Sequence, residues 1–211
     1  MIDEIHPKEC IEMLKEVSQA IINNVDVLTD ADRAIGDGDH GIGMRRGFEA
    51  AREALGSKDI KTVEEVFNAA GMALISKTGG AAGIVFGTFF CSGAKAFSDN
   101  VAIRGDNFVK FLEVAQAAVA KRGGVEEGQK TMVDAIAPAA RSSKAADIED
   151  IAAVFSAAAR GAMDGVEKTK SMIATTGKAR SMGERSIGYP DPGAISISII
   201  LGAMHEFVSR L

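Results

Sequence analysis

Few of the residues that staple, stiffen or decorate a fold are present: 211 residues hold two cysteines, four prolines, one tyrosine, three histidines and no tryptophan. Cys10 and Cys91 lie in apolar stretches far apart in the chain, so neither a disulfide framework nor a C-x-x-C metal knuckle is available. Both read as small core residues. A surplus of base is also missing. The 24 Lys and Arg against 29 Asp and Glu leave a net charge of −5, the wrong balance for a surface that replaces phosphate counterions, so DNA and RNA are not expected partners. The N-terminus, Met1-Ile2-Asp3-Glu4, carries acid where a signal peptide carries base. Between Lys77 and Lys95 run 17 uncharged residues, but five are glycine and the run falls short of the roughly 20 apolar residues of a membrane span. It reads as a buried helix, no membrane association is expected, and the protein is expected in the cytoplasm. No Pro/Ser-rich linker, fixed-period repeat or low-complexity segment divides the chain, so residues 1–211 read as one domain.

What is there is helical. Apolar residues recur at helical spacing in four sets: Ile11, Leu14, Ile21 and Ile22; Val63, Val66, Phe67 and Leu74; Phe108, Phe111, Leu112 and Val119; Ile148, Ile151, Phe155 and Val166. The single stretch that alternates like a strand, Ile195 to Ile199, follows Asp191-Pro192, an N-cap with a pre-set first turn, and is read as helix. The fold class is therefore all-α. Glycine gathers in four loops, Gly36 to Gly43, Thr78 to Gly83, Arg122 to Gly128 and Gly177 to Gly193, and the last exceeds the about 2–8 residues usual between bundle helices. A loop of that length is often functional.

The chemistry concentrates in Asp32-Arg33-Ala34-Ile35-Gly36-Asp37-Gly38-Asp39-His40-Gly41. Asp37 and Asp39, two apart on a glycine-rich turn, can face one point, and Asp32 can swing in from the end of the preceding helix. Such a set suits a hard cation, Mg²⁺ in particular, which shares its shell with waters and phosphates. Calcium in an EF-hand fails the spacing test: counted from Asp37, Phe48 stands where the bidentate glutamate belongs and Ile42 where glycine does. Thr78-Gly79-Gly80-Ala81-Ala82-Gly83 precedes a helix, where unpaired amides can cradle phosphate oxygens. Gly123 to Thr131 imitates a P-loop, but Gln129 separates the second glycine from Lys130 and helix precedes it where a strand should, so a Walker A site is rejected. In the long loop Lys178 and Arg180, beside glycines, can meet a polyphosphate. No nucleophile elbow accompanies the histidines; His6 and His205 read as surface residues, whereas His40 follows the carboxylates directly.

Taken together and in order, Ile35-Gly36-Asp37-Gly38-Asp39-His40-Gly41, Gly79-Gly80-Ala81, Gly87-Thr88-Phe89-Phe90, Lys130-Thr131-Met132-Val133-Asp134 and Gly183-Glu184-Arg185-Ser186-Ile187-Gly188 ahead of Asp191-Pro192-Gly193-Ala194 resemble the nucleotide-binding L subunit of dihydroxyacetone kinase. The resemblance covers nearly the whole chain. It implies a barrel of about eight antiparallel helices whose loops at one end hold two Mg²⁺ ions and ADP or ATP. By the same resemblance Asp32, Asp37 and Asp39 are metal ligands. His40, Gly41, Ile42 and Gly43, with Gly79, Gly80, Ala81 and Ala82, would line the phosphates; Gly123, Met132, Lys178, Asp191, Pro192 and Gly193 would contact the nucleotide. It further implies a separate K subunit that holds the ketone covalently on a histidine, an M subunit that rephosphorylates ADP in place in phosphotransferase-type systems, and a homodimer. Three positions depart from the pattern: Gly43 where asparagine is usual, Ala82 where serine is common and Lys178 where arginine is usual. Each removes a polar contact or exchanges a bidentate fork for a point charge. The leading expectation is the nucleotide-binding subunit of a ketose kinase, for dihydroxyacetone or a tetrulose such as erythrulose; the alternative is a nucleotide-sensing regulatory subunit.

Overall fold

The structure, a computed structural model, describes residues 3–57, 59–98 and 101–211. Among these residues the chain forms nine α-helices: α1 Pro7–Asn23, α2 Val25–Ile35, α3 His40–Ser57, α4 Val63–Lys77, α5 Gly80–Gly93, α6 Gly105–Gly123, α7 Val133–Lys144, α8 Ile151–Thr169 and α9 Pro192–Val208. Short 3₁₀ segments occupy Ala94–Phe97 and Lys178–Ser186, and the one β pairing is an isolated bridge between Ile5 and Ile103. Helix starts are written in the local sequence. Thr62 and Glu65 form a reciprocal capping box on α4, Asp150 accepts from Ala153 N at α8, and Asp191 accepts from Ala194 N at α9, ahead of Pro192 at the first helical position.

Eight of the helices close a ring. α3 packs on α4, α4 on α5, and so on through α8 on α9, and α9 closes on α1, which packs on α3. The eight-helix barrel is thus α1 with α3 to α9. The ninth helix, α2, lies outside the ring against α3, α9 and the 178–186 segment. Its separation from α1 was not legible: Asn24 interrupts the helical period, its side chain donating to Ala20 O at 2.8 Å, and so turns one long helix into two. The core is filled by phenylalanine. Phe48, Phe67, Phe86, Phe89, Phe90, Phe97, Phe108, Phe111 and Phe155 are all fully buried, with Phe67 and Phe89 at 4.9 and 5.3 Å from Phe111 by ring centroid. Gly80–Phe97 reaches the length and apolarity of a membrane span, slightly beyond the sequence expectation; here it is α5 and its 3₁₀ extension, which carry four of those rings into the core. Cys10 is buried as expected, while Cys91 is half-buried, its sulfur beside Gly71 where α4 and α5 cross closely.

Every second connection around the ring falls at one end. The α2–α3 turn, the α4–α5 turn, the α6–α7 connection and the long α8–α9 connection all contribute to the walls of a single cavity. Away from that cavity, Ile5 and Ile103 exchange backbone hydrogen bonds of 2.9 and 2.8 Å, and Gly105 at the start of α6 packs against Ile148 ahead of α8.

Candidate functional site

The last turn of α2 carries Asp32, and the chain reverses immediately after it. Gly36 passes so close to the Asp32 carboxylate that a Cβ there would collide with it, and Gly38 takes φ +77°, so the two glycines let the turn fold back over the acid. One oxygen from each of Asp32, Asp37 and Asp39 then lies within 4.8 Å of the others. Three like charges this close call for a cation, and the chain itself brings one. Lys178 Nζ donates to Asp37 Oδ2 and, at 2.8 Å, to Asp39 Oδ2. The pairing holds the Asp37 carboxyl below the usual carboxylate range and raises the lysine above its own. The sequence had placed Lys178 on phosphate; the structure places its ammonium on the two carboxylates, a contact between residues 141 apart in sequence.

Asp32 has a second task. Its Oδ2 accepts from His40 N at 3.1 Å and so caps the start of α3. The His40 ring lies 6.0 Å from Phe86, and its Nε2 pairs with Ser196 Oγ at 2.9 Å. Desolvation pulls the imidazole below its ordinary pKa against the opposing charges of Asp32 and Asp39, which leaves the neutral ring at neutral pH. Gly41 is buried where α3 crosses α2, facing Thr29 and Val25 O.

Elsewhere on the cavity wall, Gly79 and Gly80 take φ +83° and +57°, and α5 starts with no side chain capping its first amides. Those donors, at the positive end of a helix, suit an anion. Arg46 stands beside them, donating from Nη2 to Thr78 O at 3.0 Å. Thr78 itself is 1% exposed, and its Oγ1 has no hydrogen-bond partner among the described residues.

The third wall joins the α6–α7 and α8–α9 connections. Gly124, Gly128 and Lys130 all have positive φ, and Asp134 gathers this turn by accepting from Gly128 N and, at 2.7 Å, from Thr131 N. Met132 faces Gly193, where a Cβ would stand 3.2 Å from that of Met132. Asp191 caps α9 at 2.8 Å from Ala194 N. Desolvation raises its carboxyl to about 7, against the Ala194 hydrogen bond; nearby Asp134 adds to the rise and Lys130 opposes it.

The walls enclose about 410 Å³, a volume suited to a small-molecule ligand. Of the residues singled out from sequence, Asp32, Asp39, His40, Gly43, Gly79, Gly80, Ala81, Ala82, Gly123, Met132, Lys178, Asp191, Pro192 and Gly193 line this space. Asp37 stands at its edge within the carboxylate cluster. Gly41 lies beneath the wall, and Ile42 points away, 54% exposed. Sequence reasoning missed Arg46, Val119 and Val125, which also line it. Arg46 was recoverable, because His40, Gly43 and Arg46 fall on one helical face at three-residue steps. Val119 and Val125 carried no signal beyond ordinary apolar residues.

The DAK2 domain family matches residues 34–206. The Listeria innocua protein named PEP-dependent dihydroxyacetone kinase 1, ADP-binding subunit DhaL, is 38% identical over 194 residues, 92% of this chain and 93% of that one. The corresponding Escherichia coli subunit is 35% identical over 176 residues, 82% and 84% of the two chains. An L-erythrulose 1-kinase of Mycolicibacterium smegmatis is 32% identical across 96% of this chain, which spans only 37% of that protein. Among solved structures, the native dihydroxyacetone kinase of C. freundii superposes with a TM-score of 0.74 at 25% identity, over 98% of this chain and 36% of that one.

Proposed function

Because the chain belongs to the DAK2 domain family, we propose that it is the nucleotide-binding subunit of a ketose kinase, holding Mg²⁺ with ADP or ATP and acting on a ketose carried by a separate K-type subunit. One observation carries the reading: a cluster of three carboxylates and an uncapped helix start both contribute to the wall of a single cavity. Asp32, Asp37 and Asp39 would hold the magnesium, two ions in the fullest form of the reading. Their fit is supported by the ammonium that Asp37 and Asp39 already attract. Bound there, Mg²⁺ would neutralise the negative charge of the phosphates.

The remaining roles fall to the chain's own groups. The first amides of α5 would receive phosphate oxygens, and the neutral His40, fixed by Ser196, would close the wall behind them. Lys178, whose ammonium sits on Asp37 and Asp39, would contribute a positive charge beside the phosphates. Gly123, Val119, Val125 and Met132 offer an apolar surface for the uncharged part of the nucleotide. The three departures Gly43, Ala82 and Lys178 leave fewer polar contacts to phosphate, which supports an exchangeable rather than a permanently bound ADP. The relatives named for dihydroxyacetone and for erythrulose support a short-chain ketose as acceptor. Among the described residues, the histidine and lysines that line the cavity are all engaged, His40 by Ser196, Lys130 by backbone carbonyls and Lys178 by Asp37 and Asp39, which supports a ketose held elsewhere.

Reconstitution tests this reading. Ketose phosphate formation from dihydroxyacetone and from erythrulose is measured with Mg-ATP, or with an M-type phosphoryl donor and ADP, omitting each component in turn. Turnover is expected only when a K-type subunit is present. Robust turnover by this chain alone would overturn the division between subunits, and binding of Mg-ADP with no turnover in any combination would favour a nucleotide sensor.

A further inference from the structure

Within Lys130-Thr131-Met132-Val133-Asp134, Lys130 has no task in the reading above, yet the fold is built tightly around it. The residue is 3% exposed. It takes φ +60°, a conformation that strains any residue with a side chain. Its ammonium donates to three backbone carbonyls: Thr169 O at 2.5 Å, Tyr189 O at 2.6 Å and Met172 O at 3.3 Å. Three donors meet three neutral acceptors, so the group is saturated without a carboxylate. Desolvation lowers its pKa, and Asp191 and Asp134 oppose that shift.

The positions of the three acceptors matter more than their number. Thr169 ends α8, Met172 lies in the turn after it, and Tyr189 closes the long connection two residues before the Asp191 cap. Carbonyls at a helix C-terminus lack intrahelical partners and favour a cation, which explains why an ammonium is stable there. One side chain from the α6–α7 turn therefore ties together both roots of the connection that carries Lys178. The neck has other struts, Gly188 N to Lys170 O at 2.7 Å and Asp191 N to Thr169 Oγ1 at 3.0 Å, but these join its two roots only to each other. Among the described residues, a further hydrogen bond from that connection to the α6–α7 turn is Thr175 Oγ1 to Gln129 O, exposed and 3.5 Å long.

We propose that Lys130 is a positioning residue: it latches the neck of the 170–191 connection to the turn that presents Thr131 and Met132, so that both walls take their places around the nucleotide as one unit. The proposal rests on the nucleotide reading given above. Lysine suits the task better than arginine, because a compact ammonium with rotatable donors can reach three carbonyls that do not share a plane. An apolar side chain would fill the space but leave those carbonyls unmatched.

The test compares Lys130→Met and Lys130→Arg with wild type in the full chain. Hydrogen exchange is measured without nucleotide, and Mg-ADP binding by calorimetry. Lys130→Met is expected to accelerate exchange across residues 170–191 at least tenfold while α3, α4 and α5 keep wild-type protection, and to raise the Mg-ADP dissociation constant about tenfold. Lys130→Arg, which keeps the charge but not the geometry, is expected to do both by a few fold. In the reconstituted kinase the nucleotide KM should rise with kcat nearly unchanged. Wild-type exchange in 170–191 together with wild-type ADP affinity overturns the proposal, and so does acceleration spread evenly over all helices. If Lys130→Met does not fold, weaker ADP binding by Lys130→Arg without faster loop exchange overturns it. Failure of the wild-type chain to bind Mg-ADP would contradict the nucleotide reading instead, and the exchange comparison, made without nucleotide, separates the two failures.

Discussion

Helices α5 and α9 both begin at the cavity wall, yet α5 begins on Gly79 with no side chain over its first amides, whereas α9 begins on Asp191, whose carboxylate already accepts from Ala194 N. The same backbone feature is left available in one place and committed in the other. An uncapped start that shares a cavity with three carboxylates can accept an anion that arrives with its own metal. A start capped by a carboxylate would repel that anion, so α9 is better suited to flank the uncharged part of a ligand. The difference follows from two residue types. Glycine supplies φ +83° at position 79 and leaves the donors open; aspartate at 191 closes them and is itself raised to about 7 by desolvation.

The largest effect expected from this contrast comes from Gly80→Val. A β-branched residue at φ +57° is strained by roughly 1–2 kcal/mol and also crowds the open amides. Mg-ADP affinity should fall on the order of a hundredfold, or about 2.7 kcal/mol, while far-ultraviolet circular dichroism is unchanged. Unaltered affinity in a folded Gly80→Val variant would remove α5 from the anion site and erase the distinction between the two helix starts.

A smaller effect sharpens the other side. Asp191 has a folded pKa of about 7 against an ordinary 3.8, so the folded state binds an extra proton between those values. Its contribution to stability is complete below about pH 4 and is lost as pH rises through 7. Asp191→Asn can still cap α9 but does not titrate. The variant should therefore gain stability relative to wild type by roughly 2–3 kcal/mol between pH 5 and pH 8, read from urea midpoints. His40, whose pKa is lowered, loses stability in the opposite direction as pH falls, but it is common to both proteins and cancels in the difference. Parallel stability curves for the two proteins would mean that the Asp191 carboxylate is well solvated and that α9 differs less from α5 than the geometry implies.

Much of this organisation was legible in the sequence because it is local. Asp191-Pro192 announced the start of α9, the spacing of Asp32, Asp37 and Asp39 announced a cluster of carboxylates, and Thr78 to Gly83 announced an uncapped helix start. What escaped depends on elements far apart in the chain. The break at Asn24 removes only one residue from a helical period and leaves little compositional trace. Lys178 was read against phosphate because its sequence neighbourhood is glycine and base; its carboxylate partners lie on the α2–α3 turn. Val119 and Val125 look like any core residues until the ring closes and turns them toward the cavity. Lys130 sat inside a quoted motif, yet nothing in that motif identifies the three carbonyls its ammonium reaches, since they belong to backbone 39 to 59 residues away.

The most direct test of the contrast between the two helix starts is calorimetric titration of the purified chain with ADP and with AMP, each in Mg²⁺ and in EDTA. If the carboxylates and the α5 amides together hold a diphosphate with its metal, ADP binding should weaken by tenfold or more in EDTA, and AMP should bind weakly with little dependence on Mg²⁺. Equal ADP affinity in Mg²⁺ and in EDTA would contradict the account, because the three acids would then take no part in holding the ligand.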